Sequence, residues 1–190
     1  MAEFESDSGT PLDVPPEMPV VEGRSCAGCT MCCKVMGVGS LSKPPQKWCD
    51  HCAVGTGCSI YETRPMDCRE YYCHWLLNPA IGEHWAPKHS RMVLAYRSDR
   101  RQLTVYVDVD RPDAWRKAPY RADIQRWTVA AAKQNGQVLI CSQRDVIRVL
   151  PDREQRLGDV RDVQLTTDFA REKSDGSGWN QMAVKRPIGR

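Results

Sequence analysis

The chain has 190 residues, enough for one ordinary domain or for a metal-organised module joined to a second small unit, and the expectation here is two compact units. Hydrophobic residues make up 41% of it, yet Phe occurs only twice and mean hydropathy is −0.55, so core burial must be helped by something else. A net charge of +3 is too small to imply a polyanionic partner, and no apolar run reaches the roughly 18 to 20 residues of a membrane span. With no basic start followed by an apolar stretch, the reading is a cytoplasmic protein, where clustered thiols serve as metal ligands or redox groups rather than stable disulfides.

Residues 1–22 read as a disordered acidic leader. Glu3, Glu5, Asp7, Asp13, Glu17 and Glu22 precede the first basic residue, Arg24, and Pro11, Pro15, Pro16 and Pro19 break any helix. From residue 23 to 87 the composition changes. Nine of the ten cysteines fall between Cys26 and Cys73, among Gly28, Gly37, Gly39, Gly55, Gly57, Pro44, Pro45 and Pro65. Such a segment is expected to form loops and short helices around a metal.

A small α+β unit is expected over residues 88–151. Met92 to Tyr96 and Leu103 to Val109, separated by Arg97-Ser98-Asp99-Arg100, predict an antiparallel hairpin. Pro119 to Asn135 predicts a helix with Tyr120, Ile124, Trp127 and Ala131 on its core face and Gly136 as its stop. Val138 to Cys141 and Val146 to Leu150 predict a second hairpin that Pro151 ends. The fold class expected is therefore α+β: a loop-rich cysteine module followed by a small antiparallel sheet with one covering helix. Residues 152–190 read as a flexible basic tail, with Arg171, Lys173, Lys185, Arg186 and Arg190 against Glu172 and Asp175.

The chemistry lies in three cysteine elements. Cys26-Ala-Gly-Cys29-Thr-Met-Cys32-Cys33 has C-x2-C-x2-C-C spacing, in which the chain curls so that neighbouring sulfurs face one ion while Gly28 relieves the turn. Cys49-Asp-His-Cys52 is a second knuckle. Cys58, Cys68 and Cys73 follow in a third arm. The candidate metal ligands are thus Cys26, Cys29, Cys32, Cys33, Cys49, Cys52, Cys58, Cys68 and Cys73, while Cys141 sits in an apolar strand as a buried structural thiol. A clustered count of nine also fits disulfides poorly, since one thiol is left over.

The paired Cys32-Cys33 and the run Gly57-Cys58-x-Ile60-Tyr61-x-x-Arg64-Pro65-x-x-Cys68 resemble the YkgJ-type cysteine cluster family, described as containing a zinc- or iron-chelating domain. The resemblance covers roughly residues 24–77. Many members place three residues between their first two cysteines, where this chain has two. It implies metal binding, with no cellular role attached.

Ligand arithmetic leaves the metal open between zinc and an iron–sulfur cluster. Eight thiolates suffice for two tetrahedral zinc ions, and nine for three zincs with bridging sulfurs. Alternatively, Cys26, Cys29 and Cys32 have the spacing of three ligands in a ferredoxin-type site, with Met36 where a fourth would follow and Cys68 or Cys73 as a remote replacement. Lys34, Lys43, Lys47, Arg64 and Arg69 are available to offset thiolate charge. His51 and His74 read as neighbours of the site rather than ligands, and His84 and His89 as linker residues. Arg64-Pro65 is expected to fix a turn that returns Cys68 to the cluster.

The leading functional expectation is a metal-binding protein with a structural or electron-carrying centre and an unidentified protein partner. A second is a redox or methyltransferase-related enzyme, since some proteins with this cysteine pattern resemble flagellin lysine methylases, although no Gly-rich fingerprint, nucleophile elbow or H-E-x-x-H helix is present. A third is a zinc-ribbon-like nucleic-acid module, against which the acidic leader and the missing C-x2-C…H-x3-H finger both count.

Overall fold

The computed structural model describes residues 20–142 and 145–159, together with the backbone of four two-residue strands further on. The fold is mixed α+β, as expected. Short elements come first: α1 (Met31–Val35), β1 (Cys52–Ala53), β2 (Gly57–Cys58), α2 (Met66–Arg69), α3 (His74–Leu77) and α4 (Pro87–Ser90). Then follow β3 (Met92–Arg97), β4 (Gln102–Val107), α5 (Tyr120–Lys133), β5 (Gln137–Ser142), β6 (Asp145–Val149) and β7 (Glu154–Asp159). Beyond these, β8 (Val163–Gln164) pairs antiparallel with β11 (Arg186–Pro187), and β9 (Arg171–Glu172) with β10 (Trp179–Asn180).

The main sheet has the order β3-β4-β5-β6-β7. Its first hairpin matches expectation, pairing Met92 with Val107 through Arg97 with Gln102, although β4 ends at Val107 rather than Val109. Met92 to Leu94 and Gln102 to Val105 are buried without alternation, so both faces of these strands are covered. One side of the topology departs from the expected all-antiparallel sheet. β4 and β5 run parallel, from Gln102 opposite Gln137 to Val107 opposite Ser142. The cause is the connection: a strand followed by a crossover helix returns in the same direction.

Helix α5 buries Ile124, Trp127 and Ala131 on the predicted stripe, with Asp123, Thr128 and Ala132 beside them. Its stop differs in detail. Asn135, not Gly136, takes the left-handed conformation at φ 55°, and Gly136 lies where a Cβ would stand 2.6 Å from the Arg101 carbonyl oxygen. The tail expectation is also corrected at its start, because β7 pairs with β6 across a bulge at Val146/Ile147. Only Leu157 of that strand is buried, so no alternation marks it in the sequence. The rest of the tail, other than the four short strands, and the leader up to residue 19 lie outside the described residues.

Met31, Val35, Trp75, Leu76 and Trp85 share one continuous core with the sheet residues Met92 to Leu94 and with Trp127 of α5. The cysteine-bearing segment is therefore packed onto β3 rather than appended to it. Among the described residues no helix is long and apolar enough to cross a membrane.

Candidate metal centre

Arg24 anchors the first cysteine arm. Its guanidinium donates to the carbonyls of Trp75, Asn78 (2.8 Å) and Ile81 (2.6 Å) and stacks 4.8 Å over the Trp75 ring. These acceptors lie at and just beyond the end of α3, where carbonyls lack helical partners. Val21 N–H adds a bond to Leu76 O at 2.9 Å, and Cys26 lines the same small cavity as Cys73. The turn that follows closes through Cys29 N–H to Cys26 O at 3.0 Å, with Gly28 at φ +69°, a conformation that favours glycine.

Helix α1 then carries Cys32 and Cys33. It is fixed by Met31 and Val35, four residues apart and both buried. Successive residues on a helix project about 100° apart, so the adjacent thiols serve different neighbours. Cys32 lines a small apolar cavity with Cys26, Cys29 and Cys73. Cys33 instead has its ionisation governed by two neighbouring thiols, Cys32, which raises its pKa, and Cys52, whose bond lowers it.

The second arm docks directly on the first. Cys49 N–H donates to Cys33 O at 3.0 Å, and Cys52 N–H to Cys49 O at 3.0 Å closes the knuckle. Gly55 N–H reaches Thr30 Oγ1 at 3.1 Å. The β1–β2 pair sets Cys52 opposite Cys58. In the third arm Arg64 stacks 3.7 Å over Tyr61 and donates to its carbonyl, while Arg69 donates to the Arg64 and Glu62 carbonyls. Pro65 precedes α2 and accepts from Cys68 N–H at 2.9 Å, the turn expected to return Cys68 to the cluster.

Electrostatics tie these arms together. The Cys33 thiol is pushed up, first by its bond with Cys32 and then by burial. Burial, followed by Cys33, pushes Cys52 up to about 11. Cys68 is raised by burial and by the charges of Cys33, Cys49 and Cys58, and Cys73 is pushed up to about 12 chiefly by burial, with Cys26 and Cys29 adding to it. Cys33, Cys49 and Cys58 thus oppose ionisation of Cys68, and Cys26 and Cys29 that of Cys73, a penalty that a bound cation would remove. Burial alone pushes Cys141 up to about 12, away from this group.

The basic residues divide differently from expectation. Lys34 is occupied by Asp108 Oδ1 at 2.6 Å and by Asp110, so it is not a counter-charge for thiolates. Lys43 is. Its buried ammonium donates to the carbonyls of Lys34 (3.2 Å), Met36 and Pro44 (3.1 Å), and the acidic groups around it are Cys49, Cys33, Cys32 and Cys68. Burial lowers its pKa, while those four cysteines act in the opposite direction. The sequence holds no signal that separates Lys43 from the four other basic candidates, because the distinction is one of burial.

Two further residues take positions that the sequence reading did not assign them. The Tyr71 hydroxyl is buried, has no hydrogen-bond partner among the described residues and borders the cavity lined by Cys26, Cys29, Cys32 and Cys73. Burial foremost, then Cys73 and Cys32, keeps it protonated. His84, expected in a linker, instead stands with Nε2 2.6 Å from Asp123 Oδ2, an oxygen that also accepts from Trp85 Nε1 at 2.8 Å. His74 is buried and stacks on Tyr96, so it belongs to the sheet side, whereas His51 lines a polar basin with Lys43, Trp48 and Cys49.

All ten cysteines are free thiols, Cys26 exposed, Cys73 buried and the others half-buried. The donor chemistry, sulfur with a buried cation and an orphaned hydroxyl, fits a thiophilic metal. Among the described residues no three His, Cys, Asp or Glu side chains converge closely enough to hold a single ion. No known protein family, curated protein or solved structure matches the chain.

Proposed function

We propose that this chain is a thiolate metal-binding protein whose residues Cys26 to Cys73 hold zinc or an iron–sulfur cluster in a structural or electron-carrying role. One observation carries the reading: nine free thiols lie between Cys26 and Cys73, and four of them, Cys32, Cys33, Cys49 and Cys68, neighbour the buried ammonium of Lys43. A neighbourhood of mutually opposed thiols with an ammonium in it suits ligands that ionise together on a metal. The likeness of Cys32-Cys33 and the Gly57 to Cys68 run to the YkgJ-type family supports the same chemistry. A reducing compartment such as the cytoplasm keeps such thiols available. The engagement of Lys34 with two carboxylates, and of Arg64 and Arg69 with backbone carbonyls, leaves little free basic surface here for nucleic acid.

The test is elemental analysis of the full chain purified anaerobically, with an ultraviolet–visible spectrum. At least about one metal per chain is expected, with sulfide-to-iron absorption for a cluster and a colourless protein for zinc. A chain carrying no stoichiometric metal overturns the proposal.

A further inference from the structure

We infer that Cys52 and Cys58 are an oxidative modification site, at which a peroxide converts the two thiols into a cross-strand disulfide that thiol reductants reopen.

The backbone register carries the inference. β1 and β2 run antiparallel, with Cys52 opposite Cys58 and Ala53 opposite Gly57. One step along the same register, Ser59 N–H donates to His51 O at 2.8 Å. Hydrogen-bonded and non-hydrogen-bonded pairs alternate along an antiparallel ladder, so Cys52 and Cys58 form a non-hydrogen-bonded pair, with side chains on one face and Cα atoms about 4.5 Å apart. A disulfide spans Cα separations of about 4.4 to 6.8 Å, so this pair closes without moving either strand far. The other neighbouring thiols have no such register. Cys26 with Cys29 and Cys49 with Cys52 share single backbone turns, and Cys32 and Cys33 project from α1 about 100° apart.

The hairpin is held by groups other than the two sulfurs. Thr56 N–H closes its turn on Ala53 O at 2.9 Å, Gly55 N–H reaches Thr30 Oγ1 at 3.1 Å, and Ser59 Oγ donates to His51 O at 3.1 Å. Little chain freedom is left to lose on closure. Both thiols are half-buried, and Val54 at the tip is 60% exposed, so a small oxidant has access. In the reaction with hydrogen peroxide, the O–O bond breaks as one thiol becomes a sulfenic acid and the first water leaves. The other sulfur then attacks the sulfenic sulfur: the S–S bond forms, the S–O bond breaks and a second water departs. The two thiols together give up two electrons and two protons, and the peroxide is reduced to two waters. The spacing lies at the short end of the disulfide range, which makes the bond readily reducible by thiol exchange. Resting on the metal-binding reading, the same step withdraws two of the nine thiols from the ligand set, so metal content falls as the disulfide forms.

The experiment treats the anaerobically purified full-length chain with hydrogen peroxide in native buffer and in concentrated urea, alkylates the remaining thiols and maps the disulfides by peptide mass. In native buffer the principal product is expected to join Cys52 to Cys58, with the mass of two hydrogens lost, and to revert with dithiothreitol. In urea, where the register is gone, that selectivity should disappear. Cys58→Ser, checked by circular dichroism, should lose this product. Another dominant pair in native buffer, such as Cys49 with Cys52, overturns the assignment, as does the same distribution of pairs in urea. A product that dithiothreitol does not reopen overturns its reversibility, and full metal retention beside the disulfide overturns the coupling to metal. A metal-free chain that still joins Cys52 to Cys58 overturns the metal-binding reading alone, whereas a metal-bearing chain that never joins them overturns this inference alone.

Discussion

Asp108 has no solvent-exposed side-chain surface, and its carboxylate faces Lys34 Nζ at 2.6 Å on one oxygen and Arg91 Nη2 at 2.6 Å on the other. Its position immediately after β4 makes it the link between the sheet and the residue that follows Cys33. Removing one member of such a buried group strands the other charges, so Asp108→Asn should cost about 3 to 5 kcal/mol in urea unfolding at pH 7. Glu154 illustrates the opposite, partly exposed case. Burial alone would raise its carboxyl pKa, but hydrogen bonds from Arg116 and Arg121 outweigh this and hold it below the usual carboxylate range. Its contribution is therefore complete above the unfolded value of about 4.3 and is lost as pH falls through the lower folded value. Glu154→Gln should lower the thermal midpoint at pH 7, with the difference from the native chain shrinking as acid is added below that window. Neither partnership was legible in the sequence: Lys34 and Asp108 lie 74 positions apart, and nothing local to Lys34 distinguishes it from Lys43.

The elements were legible where pattern is local. The hairpin β3–β4, the stripe of α5 and the strands around Cys141 follow from alternation and helical spacing, and the knuckles follow from cysteine spacing. β7 was not, since a strand with one buried side chain reads as tail, and the direction of β5 depends on what α5 does as a crossover. Gly136 shows how a correct residue can carry a different reason. It does not cap α5 by adopting a positive φ; it lets β5 start against the Arg101 carbonyl, to which Gln137 N–H donates at 3.0 Å. Gly136→Ala should force that contact apart and destabilise the chain by about 1 to 3 kcal/mol, read as a lower denaturant midpoint.

Across the whole molecule, the change of composition near Pro87 marks a change of style that packing crosses. Trp75 and Trp85, from the cysteine-rich half, lie in the same core as the strands, and the Trp85 ring is 4.8 Å from that of Trp127. Sequence alone shows that these tryptophans are available to bury, but not against what. If the metal organises residues 26–73, its removal should reach the sheet as well. Chelation is expected to lower the midpoint of the strand signal in thermal circular dichroism, because both regions unfold as one cooperative unit; an unchanged strand transition would show that the sheet stands independently of the metal.

The parallel pairing of β4 with β5 also bears on the order of assembly. Four residues separate β3 from β4 and two separate β5 from β6, so each pairing has little loop entropy to overcome. Gln102 and Gln137, whose side chains are hydrogen-bonded at 3.0 Å, lie 35 positions apart, and the whole crossover with α5 must close before they meet. By the contact-order relation, the rate at which the chain reaches its native state is expected to depend more on the connection after β4 than on either hairpin.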